Sequence, residues 1–352
     1  MVFSATKKQK CFKTVLLVSM VFFFFSGATL VAMAADKKPE FTWRVQTVHA
    51  PAEATKLVRV ILNDIEIASG GRIKFELFSS GELMPDDQML PAVLRGTVEM
   101  IHTIAANDAA PVDISPLDCW PPFQWEGPLE ILNMYYNRGM KEIYNEAFEE
   151  LGPVKVLGVS TTDPLHLLST RPINSYEDLK GLKISTDKIV AKPFLDAGAV
   201  AVSVPVSEFY LSGKTGIVDA LAWCGAKEAV ANSWYEVYPY FLTNRIAGCT
   251  LTRWMANEKA FDKLPKDLQD LMEMGIRNGA LKAILYYYDD EPKNRRNFKM
   301  TTMPKEDWRK IQASMNKHLE EIAKTSERTA KLVKIYQDYN KEVEELGWYR
   351  CK

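Results

Sequence analysis

The sequence predicts an α/β protein of two lobes, each built on a mainly parallel sheet flanked by helices. Three observations carry that expectation. From Asn174 to Trp223 two short helices alternate with three apolar strand-like runs, and strands joined through helical crossovers pair in parallel. From Phe41 to Ile104 the same order of strand, helix and strand occurs twice. The chain has 352 residues, more than the roughly 250–300 at which one core stops growing.

The N-terminus reads as a secretory signal peptide. Lys7, Lys8, Lys10 and Lys13 precede an apolar run from Thr14 to Val31, and Ala32-Met33-Ala34 supplies the small residues of a cleavage site. Cleavage is expected after Ala34, so residues 1–34 are set apart from the fold. Retention as a membrane anchor is the competing reading, and the polar ADKKPE that follows argues against it. Cys11 precedes the apolar run, which excludes a lipid-modified start. Removing the leader leaves 40 basic against 45 acidic residues, a formal charge of −5. No basic block with interleaved aromatics occurs, which argues against a nucleic-acid partner.

Phe41 to Val48 reads as the first strand. The helix after it spans about 51–68, with Leu57, Ile61 and Ile65 four residues apart. Gly70-Gly71 ends it, and Ile73 to Phe78 is the second strand. A helix from Asp86 to Leu94 stops at Gly96, and Val98 to Ile104 is the third strand. Pro116, Pro121, Pro122 and Pro128 then impose a loop, whose Trp120, Phe123 and Trp125 either line a cleft or pin the loop to its own lobe.

In the second half, Ser175 is expected to cap a turn closed by Gly181. Leu182 to Ser185 is a strand, and Asp187 opens a helix burying Ile189, Val190, Phe194 and Leu195. Ala199 to Pro205 reads as a strand covered on both faces, Ser207 caps a third helix, and Ile217 to Trp223 is a strand. Ile246 to Met255 is strand-like. From Pro304 one long helix is expected, with Thr325, Ser326 and Thr329 interrupting its apolar seam.

These segments carry a resemblance. Arg171-Pro172-Ile173, the run DLKGLKI from Asp178 to Ile184, Gly198-Ala199, Pro205, Ser207-Glu208 with Tyr210, and Gly216-Ile217-Val218-Asp219 resemble the DctP-like solute-binding proteins of tripartite ATP-independent periplasmic (TRAP) transporters. FELFSSGELMPDDQML from Phe75 and LRGTVEM from Leu94 extend the likeness over most of the chain. The resemblance implies a two-lobe periplasmic binding protein fold with a long C-terminal helix packed along both lobes. It divides the chain into lobe I at 35–160 plus about 249–300, lobe II at 161–248 and a terminal helix at 301–352. It also implies a protein exported to the periplasm, which captures a small organic anion and passes it to the small and large membrane permease subunits.

No motif for catalysis, phosphate binding or metal ligation stands out, so catalytic residues, cofactors and metals are expected to be none. The cysteines left after cleavage, Cys119, Cys224, Cys249 and Cys351, show no metal-ligand spacing, and an oxidising compartment permits but does not require a disulfide. An open parallel sheet binds ligands at the C-terminal ends of its strands. Gln46 and His49 stand at the end of the first strand, His102 and Thr103 at the end of the third. In the resembled family an arginine directly after the GLKI strand grips the ligand carboxylate; here that position is Ser185. Lys188 is a candidate replacement cation, and His166 is the polar side chain beside Leu165, where a second family arginine would lie. Trp223 matches a cleft asparagine. In the branch binding α-keto acids a tryptophan also stands there, after a metal-binding glutamate, but Ala222 precedes it here. The expected ligand site is therefore Gln46, His49, His102, Thr103, His166, Ser185, Lys188 and Trp223. The ligand expected is a carboxylate or a small sulfonate such as isethionate. A sensory receptor, and then a periplasmic enzyme, are the alternatives.

Overall fold

The computed structural model describes residues 38–108 and 111–346. The expected signal peptide and Cys351 lie outside the described residues. Two sheets organise the chain. The first contains β1 (Phe41–Thr47), β2 (Ile73–Phe78), β3 (Met100–Thr103), β4 (Val154–Thr161) and β10 (Leu251–Asn257), in the order β2-β1-β3-β10-β4. The second contains β5 (Leu167–Ser169), β6 (Lys183–Ser185), β7 (Val200–Ala201), β8 (Ala220–Ala222), β9 (Tyr240–Leu242) and β11 (Lys299–Thr301), in the order β11-β9-β5-β8-β6-β7.

Each sheet is parallel apart from one reversed strand, β10 in the first and β5 in the second. Each is the strand formed after one of the two short crossings between sheets; the third crossing, through the long helix Lys266–Asn294, leads to β11, which is not reversed. A chain leaving β4 at its C-terminal end enters the next sheet at the end nearest the crossing. It must then run against strands that finish there. The reversed strands thus place the C-terminal ends of both parallel sets toward the crossing, where an α/β sheet offers its binding crevice.

The two crossing segments pair with each other. Thr162 N donates to Thr250 O at 2.9 Å, Thr250 N to Asp163 O at 3.2 Å, and Leu165 N to Ala247 O at 2.9 Å. Gly248 is required by close approach, because a Cβ there would lie 2.2 Å from the backbone carbon of Glu126. The proline-rich loop is tied to the same place. Phe123 N donates to Ile246 O at 2.7 Å and the Trp125 indole to Cys249 O at 2.9 Å. Phe123 and Trp125 therefore pin the loop, against Trp308 and Tyr336.

Local expectations hold with several corrections, one being that Ser207 lies inside the 3-10 turn Val206–Glu208 and caps no helix. The first long helix is α-helical at Pro51–Glu53, a π turn at Ala54–Arg59, and α-helical again as α1 (Val60–Ala68). The turn before β6 is held by Asp178, whose carboxylate accepts from Asn174 N and Ser175 N at 2.8 and 2.9 Å, with no side-chain cap from Ser175. In the helix that Asp187 opens, Val190 and Phe194 are buried, but Ile189 is half-buried and Leu195 is exposed. The expected strand from Ala199 to Pro205 shrinks to β7 with both residues exposed, since it forms the sheet's edge and lacks a neighbour to cover it.

The remaining helices include α2 (Met89–Arg95), α3 (Pro128–Asn137), α4 (Met140–Glu149), α5 (Lys188–Asp196), α6 (Phe209–Lys214), α7 (Ala226–Ala231), α8 (Glu258–Phe261) and the long α9 (Lys266–Asn294). The C-terminal helical segment is divided into α10 (Lys305–Ala323) and α11 (Glu327–Leu346). Ser326 N donates to Thr329 Oγ1 at 3.0 Å and Thr329 N to Ser326 Oγ at 3.1 Å, a reciprocal cap that starts a new helix. Trp308 and Ile311 of α10 belong to the second sheet's core, whereas Met315 and Leu319, with Leu332 and Tyr336 of α11, belong to the first. The terminal helices thus bind both halves together. No described helix is long and apolar enough to cross a membrane.

Candidate functional site

Strand alternation sorts the side chains at the crevice end of the first sheet. Register places Thr47 beside His102, and Gln46 beside Ile101. Successive residues face opposite ways, so Thr47 and His102 share one face while Gln46 and Thr103 share the other. Trp254 lies opposite His102 and Thr252 opposite Ser160, and both join the His102 face.

On that face a buried polar network forms. The Thr47 hydroxyl meets His102 Nδ1 at 3.0 Å, and His102 Nε2 meets Thr252 Oγ1 at 2.9 Å and Ser160 Oγ at 3.2 Å. Trp254 Nε1 donates to Ser160 Oγ at 3.1 Å, and its ring lies 4.4 Å from that of His102. Burial, reinforced by His49, pushes His102 well below the ordinary histidine value, so its imidazole is neutral. The His49 ring lies 5.3 Å away. Together with Thr161, Thr162 and the π-turn residues Leu57 and Val58, these groups line a cavity of about 10 Å³, close to the room for one water. Thr161 Oγ1 is buried without a hydrogen-bond partner among the described residues. The cavity stands at the ends of β1, β3 and β4, so His49 and His102 are brought together where strand-end reasoning placed them.

Gln46 and Thr103 are not. Gln46 donates to Met84 O at 2.8 Å and accepts from Leu83 N and Met84 N at 3.0 and 3.1 Å, fixing the loop after β2. Thr103 is fully buried opposite Arg253. That face carries a charge cluster which sequence reading missed. Arg253 pairs with Asp108 and, at 3.0 Å, with Asp118, all three almost wholly buried, while its guanidinium lies 4.5 Å from the Phe148 ring centre. Burial, with Asp108 competing for the same guanidinium, pushes the Asp118 carboxyl up to about 6. The cluster anchors the loop that carries Trp120 into the second sheet's core.

In the second sheet, Ser185 ends β6 and is buried, and Thr186 Oγ1 donates to Ala222 O at 2.6 Å. Asp187 precedes α5; burial, opposed by the nearby Trp120 indole, raises its carboxyl above the ordinary value. Trp223 is partly exposed, with its ring 5.6 Å from Trp120 and 5.5 Å from Phe209. Lys188 is exposed at the start of α5. His166 departs from its expected place in the crevice. Its Nδ1 donates to Leu242 O at 2.9 Å, Nε2 accepts from Arg295 at 3.1 Å, and burial, then the nearby Arg295, hold it neutral. It buttresses the hinge instead, since Arg295 also pairs with Glu291 at 2.9 Å and Glu291 accepts from Lys227 N at 3.1 Å.

Among the described residues, Asp163, Cys224 and Glu228 have ligand atoms within 4.8 Å of one another and form a group able to hold a metal. Asp163 already accepts from Gly225 N at 2.8 Å, and burial with the neighbouring carboxylates raises the Cys224 thiol far up, keeping it protonated. Cys119, Cys224 and Cys249 are free and buried.

Two sheets joined by paired crossing segments, with their parallel strands ending toward the crossing, fit a two-lobe architecture, and the sequence match agrees. Residues 53–324 match the family described as bacterial extracellular solute-binding protein, family 7. The chain belongs to that family. A monocarboxylate 2-oxoacid-binding periplasmic protein of Nostoc is 24% identical over 252 residues, covering 71% of this chain and 69% of the relative. A TRAP periplasmic solute-binding protein of Chromohalobacter salexigens, solved with bound (S)-(+)-2-amino-1-propanol, superposes with a TM-score of 0.78 at 27% identity, covering 88% of this chain and 98% of that one. A TRAP protein of Colwellia psychrerythraea, solved with calcium and pyruvate, gives a TM-score of 0.74 at 23% identity, with 88% and 96% covered. This family 7 chain thus shares the two-lobe fold of TRAP solute receptors, which are transport proteins.

Proposed function

We propose that this protein is the extracytoplasmic solute-binding subunit of a TRAP transporter. It closes on a small organic solute and delivers it to the membrane permease for uptake driven by an ion gradient. The observation that supports the reading is the pair of sheets whose parallel strands end toward the crossing segments, with His49 and His102 at those ends in the first sheet and Ser185, Asp187 and Trp223 at those ends in the second. A binding protein needs a crevice that excludes water and a few oriented polar groups, and these strand ends supply such polar groups. Small organic acids, carboxylates or a sulfonate such as isethionate, are the ligand class the family suggests. The amino alcohol held by the Chromohalobacter relative extends the range to amines. The leader at 1–34 directs the chain to the periplasm, and the lobes divide at about residues 160 and 249.

A thermal-shift screen of the chain from Ala35 tests the reading, with carboxylates, oxo acids, sulfonates, amines and sugar acids in the panel. A ligand at a hundred times its dissociation constant adds about 2.7 kcal/mol. A narrow set of stabilising compounds is expected. A flat response to every small solute would overturn the assignment.

A further inference from the structure

We propose that the solute bound between the lobes carries an ammonium group, held by the Asp187 carboxylate beside the rings of Trp120 and Trp223. This rests on the receptor reading above and sharpens its ligand class. Asp187 lies just past the end of β6, two residues after Ser185, where the strand ends meet the crevice. Trp120 arrives from the proline-rich loop, with its indole beside this carboxylate. Trp223 stands at the end of β8, in edge contact with Trp120 on one side and Phe209 on the other.

Aromatic faces carry partial negative charge and a carboxylate carries a full one, so this group attracts a cation and repels an anion. No cation offsets it. Among the described residues, Asp187 forms no ion pair with a lysine, arginine or histidine. Lys188 is exposed and forms no ion pair among the described residues. Ser185 contributes a neutral hydroxyl. The imidazole of His166 is neutral, and both its nitrogens are taken by Leu242 O and Arg295. The positions that would grip a carboxylate head group in this lobe are therefore neutral, while a half-buried carboxylate stands among aromatic rings. An amino alcohol, a quaternary ammonium compound or an amino acid meets that chemistry. A simple carboxylate does not.

Calorimetric titration of the chain from Ala35 decides the matter. The probes are ethanolamine, choline and 4-aminobutyrate, with ethylene glycol as a neutral isostere and glycolate and butyrate as anionic ones. At least one ammonium probe should bind at least about tenfold more tightly than its isosteres. Asp187→Asn, which keeps the shape and removes the charge, should weaken that probe about tenfold to a hundredfold. Trp223→Leu should also weaken it, and Asp187→Glu should keep the preference for the ammonium probe over its isosteres. Binding of the carboxylates with unchanged affinity in Asp187→Asn would overturn the ammonium site and leave the receptor reading intact. Binding of no probe, with a flat thermal-shift screen, would instead remove the receptor reading itself.

Discussion

Arg253 Nε lies 3.0 Å from the Asp118 carboxylate, with 1% and 2% of the two side chains exposed. Asp108 shares the same guanidinium. One cation thus holds two buried carboxylates beneath the loops after β3 and before Trp120. Replacing Arg253 by Met leaves both carboxylates without a counter-charge, and breaking a buried pair costs about 3–5 kcal/mol. Urea denaturation should show that loss. A stability change below about 1 kcal/mol would mean the cluster is not what anchors these loops.

Stability should fall as pH falls below 6.5. His102 and His166 are held neutral by burial, so their pKa values are lower in the folded chain than in the unfolded one. Below the unfolded value of 6.5 the unfolded chain binds more protons, and each histidine withdraws up to about 1.4 kcal/mol per pH unit. Asp118 acts oppositely. Its folded pKa is raised to about 6 from 3.8, so between those values the folded chain binds the extra proton and gains stability as pH falls. The histidines act first, and below pH 6 both Asp118 and Asp187, whose carboxyls burial raises, oppose them, so the net loss is clearest from pH 7 to 6. Urea midpoints across that range should decline, and His166→Gln should flatten the slope. A midpoint that rises on acidification would contradict the buried neutral histidines.

The parallel rhythm was legible because helix and strand periods are local properties of the chain. Leu182 to Ser185, Gly181 and Gly198 fall where residue type alone puts them. The reversed strands β5 and β10 were not legible as such, since their direction follows from where the chain crosses between sheets. His49 and His102 could be found from strand ends. Gln46 and Thr103 stand one residue away from cavity-facing neighbours, and the ±1 register that turns them aside is set by pairing. Ser160, Thr161 and Thr252 come from strands β4 and β10, distant in sequence, and carry no motif. Asp187 was visible as a helix opener, but its meeting with Trp120 depends on the loop that Arg253 anchors.

Gly248→Ala should be among the most damaging small changes in the chain. The added Cβ would meet the backbone of Glu126 and Gly127 at 2.2 Å, and a backbone cannot rotate away as a side chain can. A loss of about 3 kcal/mol or more is expected, read as a lowered urea midpoint. An unchanged midpoint would show that the crossing segments and the proline-rich loop are not in contact as described.

Thr161→Val separates a structural hydroxyl from a ligand-facing one. Because Thr161 Oγ1 is buried without a partner among the described residues, removing it should leave stability unchanged or raise it by about 1 kcal/mol. Affinity for the best screening hit should fall about tenfold if that hydroxyl meets the solute at the cavity. Lower stability with unchanged affinity would place the ligand elsewhere.

The central claim is that one small organic solute is captured between the two sheets. Titration calorimetry of the chain from Ala35 with the best screening hit addresses it directly. The account predicts a saturable isotherm with one site per chain, and loss of at least about tenfold in affinity in both His49→Ala on the first side and Trp223→Ala on the second. Saturable binding that neither substitution alters would contradict it.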